Sequence, residues 1–335
     1  MLLLLLSCTE APLPAAPLPT IPGLSAAAPE PADVVDLSAV SPPRLVYHGT
    51  DGLTVLTTEG ALLHWRPDGA AVSIADAVVD ITHDTHGLLG LTQDGTLLLP
   101  SEPLKTEHSG DGLLIADQDS ALVAVLQDGL RVIDTDTREV LWTAEVSSSK
   151  AIAIGGGLLF DFDTSLVMLT ARDARSGEIR AQRPVRPPHR SKARGSRSSK
   201  SIGELAPRVR ATSTDTPRLL QELRGALHYD PTTDRLFFRQ LVLDGRTLEP
   251  LGRIPDIDGV LYADQERIVG RRQGWDGTIS IMDVHPVQLT VEGRVPLLRP
   301  EGEPHIFYDL KTDTLTLSEP GRDRLLRWNT PLPFP

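Results

Sequence analysis

Leu122-Val-Ala-Val-Leu-Gln-Asp-Gly-Leu-Arg-Val-Ile133 is two apolar runs split by a polar pair that ends in Asp-Gly. The same layout stands upstream as Leu88-Leu-Gly-Leu-Thr-Gln-Asp-Gly-Thr-Leu-Leu-Leu99 and as Leu53-Thr-Val-Leu-Thr-Thr-Glu-Gly-Ala-Leu-Leu-His64. Two short strands joined by a tight turn make a β-hairpin, with glycine taking the positive φ that other residues avoid. The turn glycines Gly60, Gly95 and Gly129 are 35 and 34 residues apart, so the hairpin is one module of an array. A period of this size means a solenoid or a propeller, and strand-rich modules favour the propeller.

Counting from the end of the second hairpin strand gives Trp65, Leu99 and Ile133, and later Thr170–Asp173, Val242–Asp244, Ile281–Asp283 and Leu325–Trp328. The aspartates Asp134, Asp173, Asp244 and Asp283 are separated by 39, 71 and 39 residues. The long middle gap marks an insertion, and residues 184–217, rich in Arg, Ser and Pro and without strand periodicity, read as a disordered loop. Removing it restores the period. The expected fold is all-β, a single seven-bladed propeller, with six or eight blades as the alternatives. A second echo, Leu227–Phe237 against Ile306–Thr316, fits the step from the innermost to the second strand of a blade. Phe238 and Leu241 leave little room for a turn, so the fifth module is expected to be irregular. The last module lacks an outermost strand, because Pro331, Pro333 and Pro335 cannot donate to a ladder. Val34 to Leu37, or Arg44 to Tyr47, is expected to supply it and close the ring.

Ile133-Asp-Thr-Asp-Thr-Arg-Glu-Val-Leu-Trp142 and Asp173-Ala-Arg-Ser-Gly-Glu-Ile-Arg-Ala181 resemble the repeats of quinoprotein-type and YVTN-type β-propellers. Asp244-Gly-Arg-Thr-Leu-Glu-Pro-Leu251 is a looser copy. The resemblance spans roughly residues 44–330 and implies fold rather than chemistry, since propellers host many unrelated functions. Quinoprotein dehydrogenase activity is what it would suggest, yet the adjacent-cysteine feature of many such enzymes is impossible with one cysteine. Their PQQ-binding residues have no counterpart, so no cofactor is expected.

The single cysteine, Cys8, follows Leu2–Leu6 and Ser7. Leu5-Leu6-Ser7-Cys8 resembles the lipobox of bacterial lipoproteins, which implies acylation of Cys8. It also implies an address at the bacterial envelope, on the outer membrane or facing the periplasm. On this reading residues 1–7 are a signal segment and 8–43 a Pro- and Ala-rich linker, extended and semi-rigid. Residues 44–335 are the propeller. The run of five leucines is short for a signal peptide, and no Lys or Arg precedes it. The alternatives are a start upstream or an accidental match.

The formal charge is −12 and the aromatic content 4%. An acidic chain gains nothing from counterion release on DNA, and few aromatics leave no stacking platform, so nucleic acid is excluded as a partner. The charge is unevenly spread. Arg183, Arg186, Arg190, Lys192, Arg194, Arg197, Lys200, Arg208 and Arg210 stand against one acid, Glu204, leaving 24 basic and 44 acidic residues elsewhere. Two readings follow: a solvated loop resting on its own acidic body, or an arm for an anionic partner such as lipid head groups, lipopolysaccharide or an acidic protein.

Other candidates are weaker. His83-Asp84-Thr85-His86 lacks a third metal ligand and lies in turn sequence, so no metal site is expected. The pairs Asp134/Asp136 and Asp161/Asp163 are too few oxygens for calcium and read as turn caps. Gly155-Gly-Gly157 has no Lys-Ser/Thr after it and reads as the link into the fourth blade. Trp65, Trp142 and Trp328, at strand ends, are expected between blades. No Gly-x-Ser-x-Gly elbow marks a nucleophile, so the catalytic residues are unknown. The function expected is a non-enzymatic, lipid-anchored monomer that binds an envelope protein or an anionic surface. The rival is a hydrolase, a lactonase or a quinoprotein-like enzyme with its site at the central channel mouth.

Overall fold

The structure is a computed structural model that describes residues 31, 33–36, 43–49, 52–65, 71–84, 87–106, 109–117, 119–145, 149–185, 226–274, 278–298, 305–309, 314–319 and 324–329. Its strands form seven four-stranded antiparallel sheets. The first sheet is β2 (Pro43–Gly49), β3 (Gly52–Thr57), β4 (Leu62–Trp65) and β5 (Ala71–Ala75). The second is β6 (Val78–His83), β7 (Leu88–Thr92), β8 (Thr96–Leu98) and β9 (Leu104–Lys105). Next come β10 (Leu113–Ala116), β11 (Leu122–Leu126), β12 (Leu130–Asp134) and β13 (Glu139–Ala144). The fourth is β14 (Ser149–Gly155), β15 (Leu158–Asp163), β16 (Met168–Asp173) and β17 (Ile179–Pro184). After the insertion come β18 (Leu227–Asp230), β19 (Arg235–Phe238), β20 (Leu241–Asp244) and β21 (Pro250–Arg253). The sixth is β22 (Gly259–Ala263), β23 (Ile268–Gln273), β24 (Ile279–Val284) and β25 (Val291–Leu298). The seventh joins β26 (His305–Asp309), β27 (Thr314–Glu319) and β28 (Arg324–Asn329) to β1 (Asp33–Asp36).

Each sheet packs against the next, and β26 and β27 return to β2, so the array is a closed ring: a β-propeller. Apolar burial explains the sequence pattern. β11 and β12 are buried along their whole length because a neighbouring sheet covers each face, which favours an unbroken apolar run over alternation. Outermost strands such as β13 and β17 are largely exposed and alternate with polar residues. The core is divided into seven clusters, one in each gap between neighbouring sheets. The largest lies between the fourth and fifth sheets and contains Phe160, Phe162, Leu236 and Phe238.

The ring closes through β1, whose Val34 pairs with Leu326 and Val35 with Leu325. The alternative closing segment, Arg44 to Tyr47, is instead part of β2, the innermost strand of the first sheet. β1 therefore takes part of the sequence assigned to the linker into the sheet.

Several local expectations are corrected. The fifth sheet is regular: Phe238 pairs with Leu241 across a two-residue turn, made possible by Arg239 at φ 54°. Gly156 and Gly157, at φ 55° and 77°, form the turn between β14 and β15 inside the fourth sheet, not the link into it. Gly60 and Gly95 have the positive φ expected of the hairpin turns; Gly129 does not, and a Cβ there would meet only the Ala144 carbonyl, at 3.2 Å. Pro184 lies in β17 opposite Met168, and the buried Val185 donates its N–H to the Val167 carbonyl, 2.9 Å. The sheet thus continues past the expected start of the insertion at Pro184.

Candidate functional site

Because neighbouring strands run in opposite directions, the turns after the first and third strands of every sheet lie at one end of the ring. The turns after the second strand, and the links between sheets, lie at the other. Carboxylates cap the turns of the first end. After the innermost strands, Asp84 accepts from the Gly87 N–H at 3.1 Å and Asp117 from the Asp119 N–H at 3.1 Å. Asp230 accepts from the Thr232 N–H at 2.9 Å, and Asp264 from the N–H groups of Glu266 and Arg267, both 2.7 Å. After the third strands, Asp134, Asp173 and Asp244 each accept from the two N–H groups two and three residues on.

The sixth sheet uses a different residue. His285 Nδ1 accepts from the N–H groups of Val287 and Gln288 at 3.1 and 3.2 Å, and its own backbone bonds repeat those of Asp244. The ruler built on Asp283 was therefore two residues out: Asp283 lies within β24 and faces Arg267. In all four turns the fourth residue after the cap has positive φ: Arg138, Gly177, Leu248 and Leu289.

The caps fix the electrostatics. The Ser176 N–H and then Arg180 hold the Asp173 carboxyl down at about 2, and the Thr247 N–H lowers Asp244. Acids held ionised this way are poor proton donors or acceptors near neutrality. The innermost strands show the same economy. Buried Asp80 accepts from the Leu114 N–H of the next sheet at 2.7 Å, and Asp84 accepts from the Thr135 hydroxyl of the next sheet at 3.1 Å. His228, on β18, is pushed down to about 4 by burial, against the opposing pull of Asp230. Burial raises the Tyr229 phenol, which donates to Asp234 at 2.7 Å.

Asp163 caps its own turn through the N–H groups of Ser165 and Leu166, and Asp134 does likewise. Asp161 does not: its buried carboxylate accepts from Arg172 Nε at 3.0 Å. Burial raises it, and Arg172 offsets part of the rise. Among the described residues no group of three or more His, Cys, Asp and Glu gathers in a metal-binding arrangement; His86 lies outside them. Trp142 bridges sheets, donating its indole N–H to the Ala174 carbonyl at 2.8 Å. Trp65 packs against the cluster between the seventh and first sheets, and Trp328 is a buried member of the cluster between the sixth and seventh.

Of the nine basic candidates, Arg183 is described. It lies in β17 and pairs with Glu249 at 3.0 Å, joining the fourth and fifth sheets. Arg186, Arg190, Lys192, Arg194, Arg197, Lys200, Arg208 and Arg210 lie outside the described residues, as does Cys8. The connection carrying them leaves after Val185 and returns at Ala226, at the link end of the ring. That end also bears Glu59, Asp76, Asp94, Asp111, Asp128, Glu145, Asp256 and Asp258 in its turns and links. Sequence reasoning missed Asp80 and Arg172. The first had a signal: Asp80 and its partner Leu114 are one 34-residue module apart.

No family model and no curated protein matches the chain. Solved structures do. A chain in the "Crystal Structure of Mitotic Checkpoint Complex" is 12% identical with a TM-score of 0.60, covering 98% of this chain and 99% of that one. The β-propeller domain of Myceliophteria thermophila Cps50 (Swd1) is 12% identical with a TM-score of 0.58, over 90% and 99%. Saccharomyces cerevisiae Sqt1 is 9% identical with a TM-score of 0.52, over 84% and 81%. Likeness at these identities establishes the β-propeller fold and nothing finer.

Proposed function

We propose that this chain is a non-enzymatic binding scaffold, held at a bacterial envelope by a lipid on Cys8. It presents its ring to a protein or anionic partner, with the basic arm as the contact. The observation that carries the reading is how the polar groups are used: Asp80, Asp84, Asp117 and Asp230 spend their oxygens on the fold's own N–H and hydroxyl groups. Such a frame is rigid and leaves function to segments outside the sheets. One similar fold belongs to a chain solved in a complex, which agrees with a role in protein assembly. The charge contrast between arm and body gives the arm its anionic preference.

The test is a pull-down from envelope fractions. One bait is the full chain; the other has residues 186–225 replaced by a short Gly-Ser linker. The arm-less bait should keep its melting temperature and lose the partner. A large loss of stability would instead assign the insertion to the fold. Cys8→Ser should move the protein from the membrane to the soluble fraction, and unchanged fractionation would remove the lipid anchor.

A further inference from the structure

His285 holds its turn by a means the equivalent turns do not share. Asp134, Asp173 and Asp244 cap with carboxylates, and an ionised carboxylate can only accept. His285 caps through Nδ1, which accepts only while the ring is neutral and carries its proton on Nε2. Protonation would put a third N–H where those of Val287 and Gln288 already converge, so an acceptor becomes a donor facing donors. Ser176 and Thr247 also add hydroxyl donors to the Asp173 and Asp244 caps. The corresponding residue here is Gln288, so the imidazole nitrogen carries more of the turn.

The turn also fastens two sheets together. Leu289, in the left-handed region at φ 56°, packs against the cluster between the fifth and sixth sheets. Its Cδ1 lies so close to Gly252 of β21 that a Cβ there would meet it at 2.5 Å. From the fifth sheet, Arg235 on β19 donates to the Pro286 carbonyl. We infer that the turn at residues 285–290 is a pH-operated catch between the fifth and sixth sheets, closed while His285 is neutral and opened by its protonation. Histidine is the residue type suited to this, because its charge changes between pH 5 and 8, where carboxylates stay ionised. The charged groups on the elements around it are Arg235, Asp264, Glu266, Arg267, Asp283 and Glu292. Arg267 engages Asp283 at 3.5 Å, and Asp264 caps its own turn. Among the described residues none of them forms an ion pair with His285, so no carboxylate holds the charged ring in place. Opening the catch frees Leu289 and the Pro286 carbonyl together, and leaves the three carboxylate-capped turns closed.

The experiment is NMR of the 15N-labelled full chain from pH 8 to pH 5, following the His285 ring and the amides of Val287 and Gln288. The two amide signals should shift in step with protonation of the ring. Their exchange with solvent, corrected for its intrinsic pH dependence, should speed up by about fivefold to tenfold, the worth of a lost cap. The amides of Arg246 and Thr247, under the Asp244 carboxylate, should hold steady. His228 is held down at about 4 and titrates below this range. His285→Asp installs the cap of the equivalent turns, and His285→Asn supplies an acceptor oxygen that does not titrate. Circular dichroism should show both variants folded, and both should keep residues 287 and 288 steady from pH 8 to 5. Amides that ignore protonation of the ring would overturn the inference. So would a ring that stays neutral down to pH 5, or a pH response that survives in both variants.

Discussion

Gly177→Ala isolates one contact between neighbouring sheets. Gly177 sits at φ 74°, and a Cβ built there would lie 2.7 Å from Trp142 Cδ2 and 3.0 Å from Cε3 and Cγ. The backbone alone does not demand glycine, because Arg138, Leu248 and Leu289 hold the equivalent place at φ 56–61°. Left-handed φ costs a side chain about 1 kcal/mol, and overpacking a rigid neighbour adds about 1–3 kcal/mol. The ring cannot easily retreat, since its N–H is held by the Ala174 carbonyl. Gly177→Ala should therefore cost about 2–4 kcal/mol. Chemical denaturation followed by tryptophan fluorescence measures it. In a Trp142→Leu background the clash disappears, and the same substitution should cost only about 1 kcal/mol. A cost under about 0.5 kcal/mol, or an equal cost in both backgrounds, would refute the packing argument.

Arg172→Ala leaves the Asp161 carboxylate buried without its partner and should cost about 3–5 kcal/mol in denaturant melts, whereas Asp161→Leu combined with Arg172→Leu should recover most of it. The His228 imidazole, at about 4 in the fold against about 6.5 unfolded, is protonated first in the unfolded chain. Its contribution is whole above about pH 6.5 and fades as the pH falls toward 4, by up to about 3 kcal/mol. A His228→Phe chain should lack that segment of the stability–pH curve. Asp173 acts in the same sense at lower pH: its lowered carboxyl stabilises above about pH 4 and fades toward 2. Asp173→Ala should cost about 1 kcal/mol at neutral pH and nothing below pH 2.

What the sequence disclosed was whatever repeats. The hairpin period, the place of the insertion and the closing strand near Val34 all follow from spacing and from the proline-rich end, because sheet register ties side-chain periodicity to position. What stayed hidden depended on chemistry that residue type does not announce. An imidazole nitrogen can accept the same two N–H groups as a carboxylate, so His285 took the cap while Asp283 drew the count two residues early. Asp161 looks like Asp163 in sequence, yet only Asp163 stands at a strand end. The other points across the sheet at Arg172, eleven residues on. The turn after Phe238 looked too short because two residues separate Phe238 from Leu241, yet with Arg239 in the left-handed region those two close the hairpin.

Among the described residues the seven clusters are unequal. Between the sixth and seventh sheets nine apolar residues are buried, Trp328 among them. Among the described residues the gap between the first and second sheets buries Leu56, Leu62, Val78 and Ile81, and the gap between the seventh and first buries Val46, Leu53, Val55 and Leu325, with Trp65 packed against them. The other face of β27 contributes Thr314, Thr316 and Ser318, all buried. Hydroxyls bring little transfer free energy compared with the leucines and valines of the other gaps. This is also the gap beside which the first and last described strands, β1 and β28, pair. A closed propeller needs every gap filled, because one open gap exposes two sheet faces at once. The four-residue ladder of β1 on β28 therefore matters beyond its length: it ties the last sheet to the segment that leads directly into the first. The closing strand is what converts seven stacked sheets into a ring.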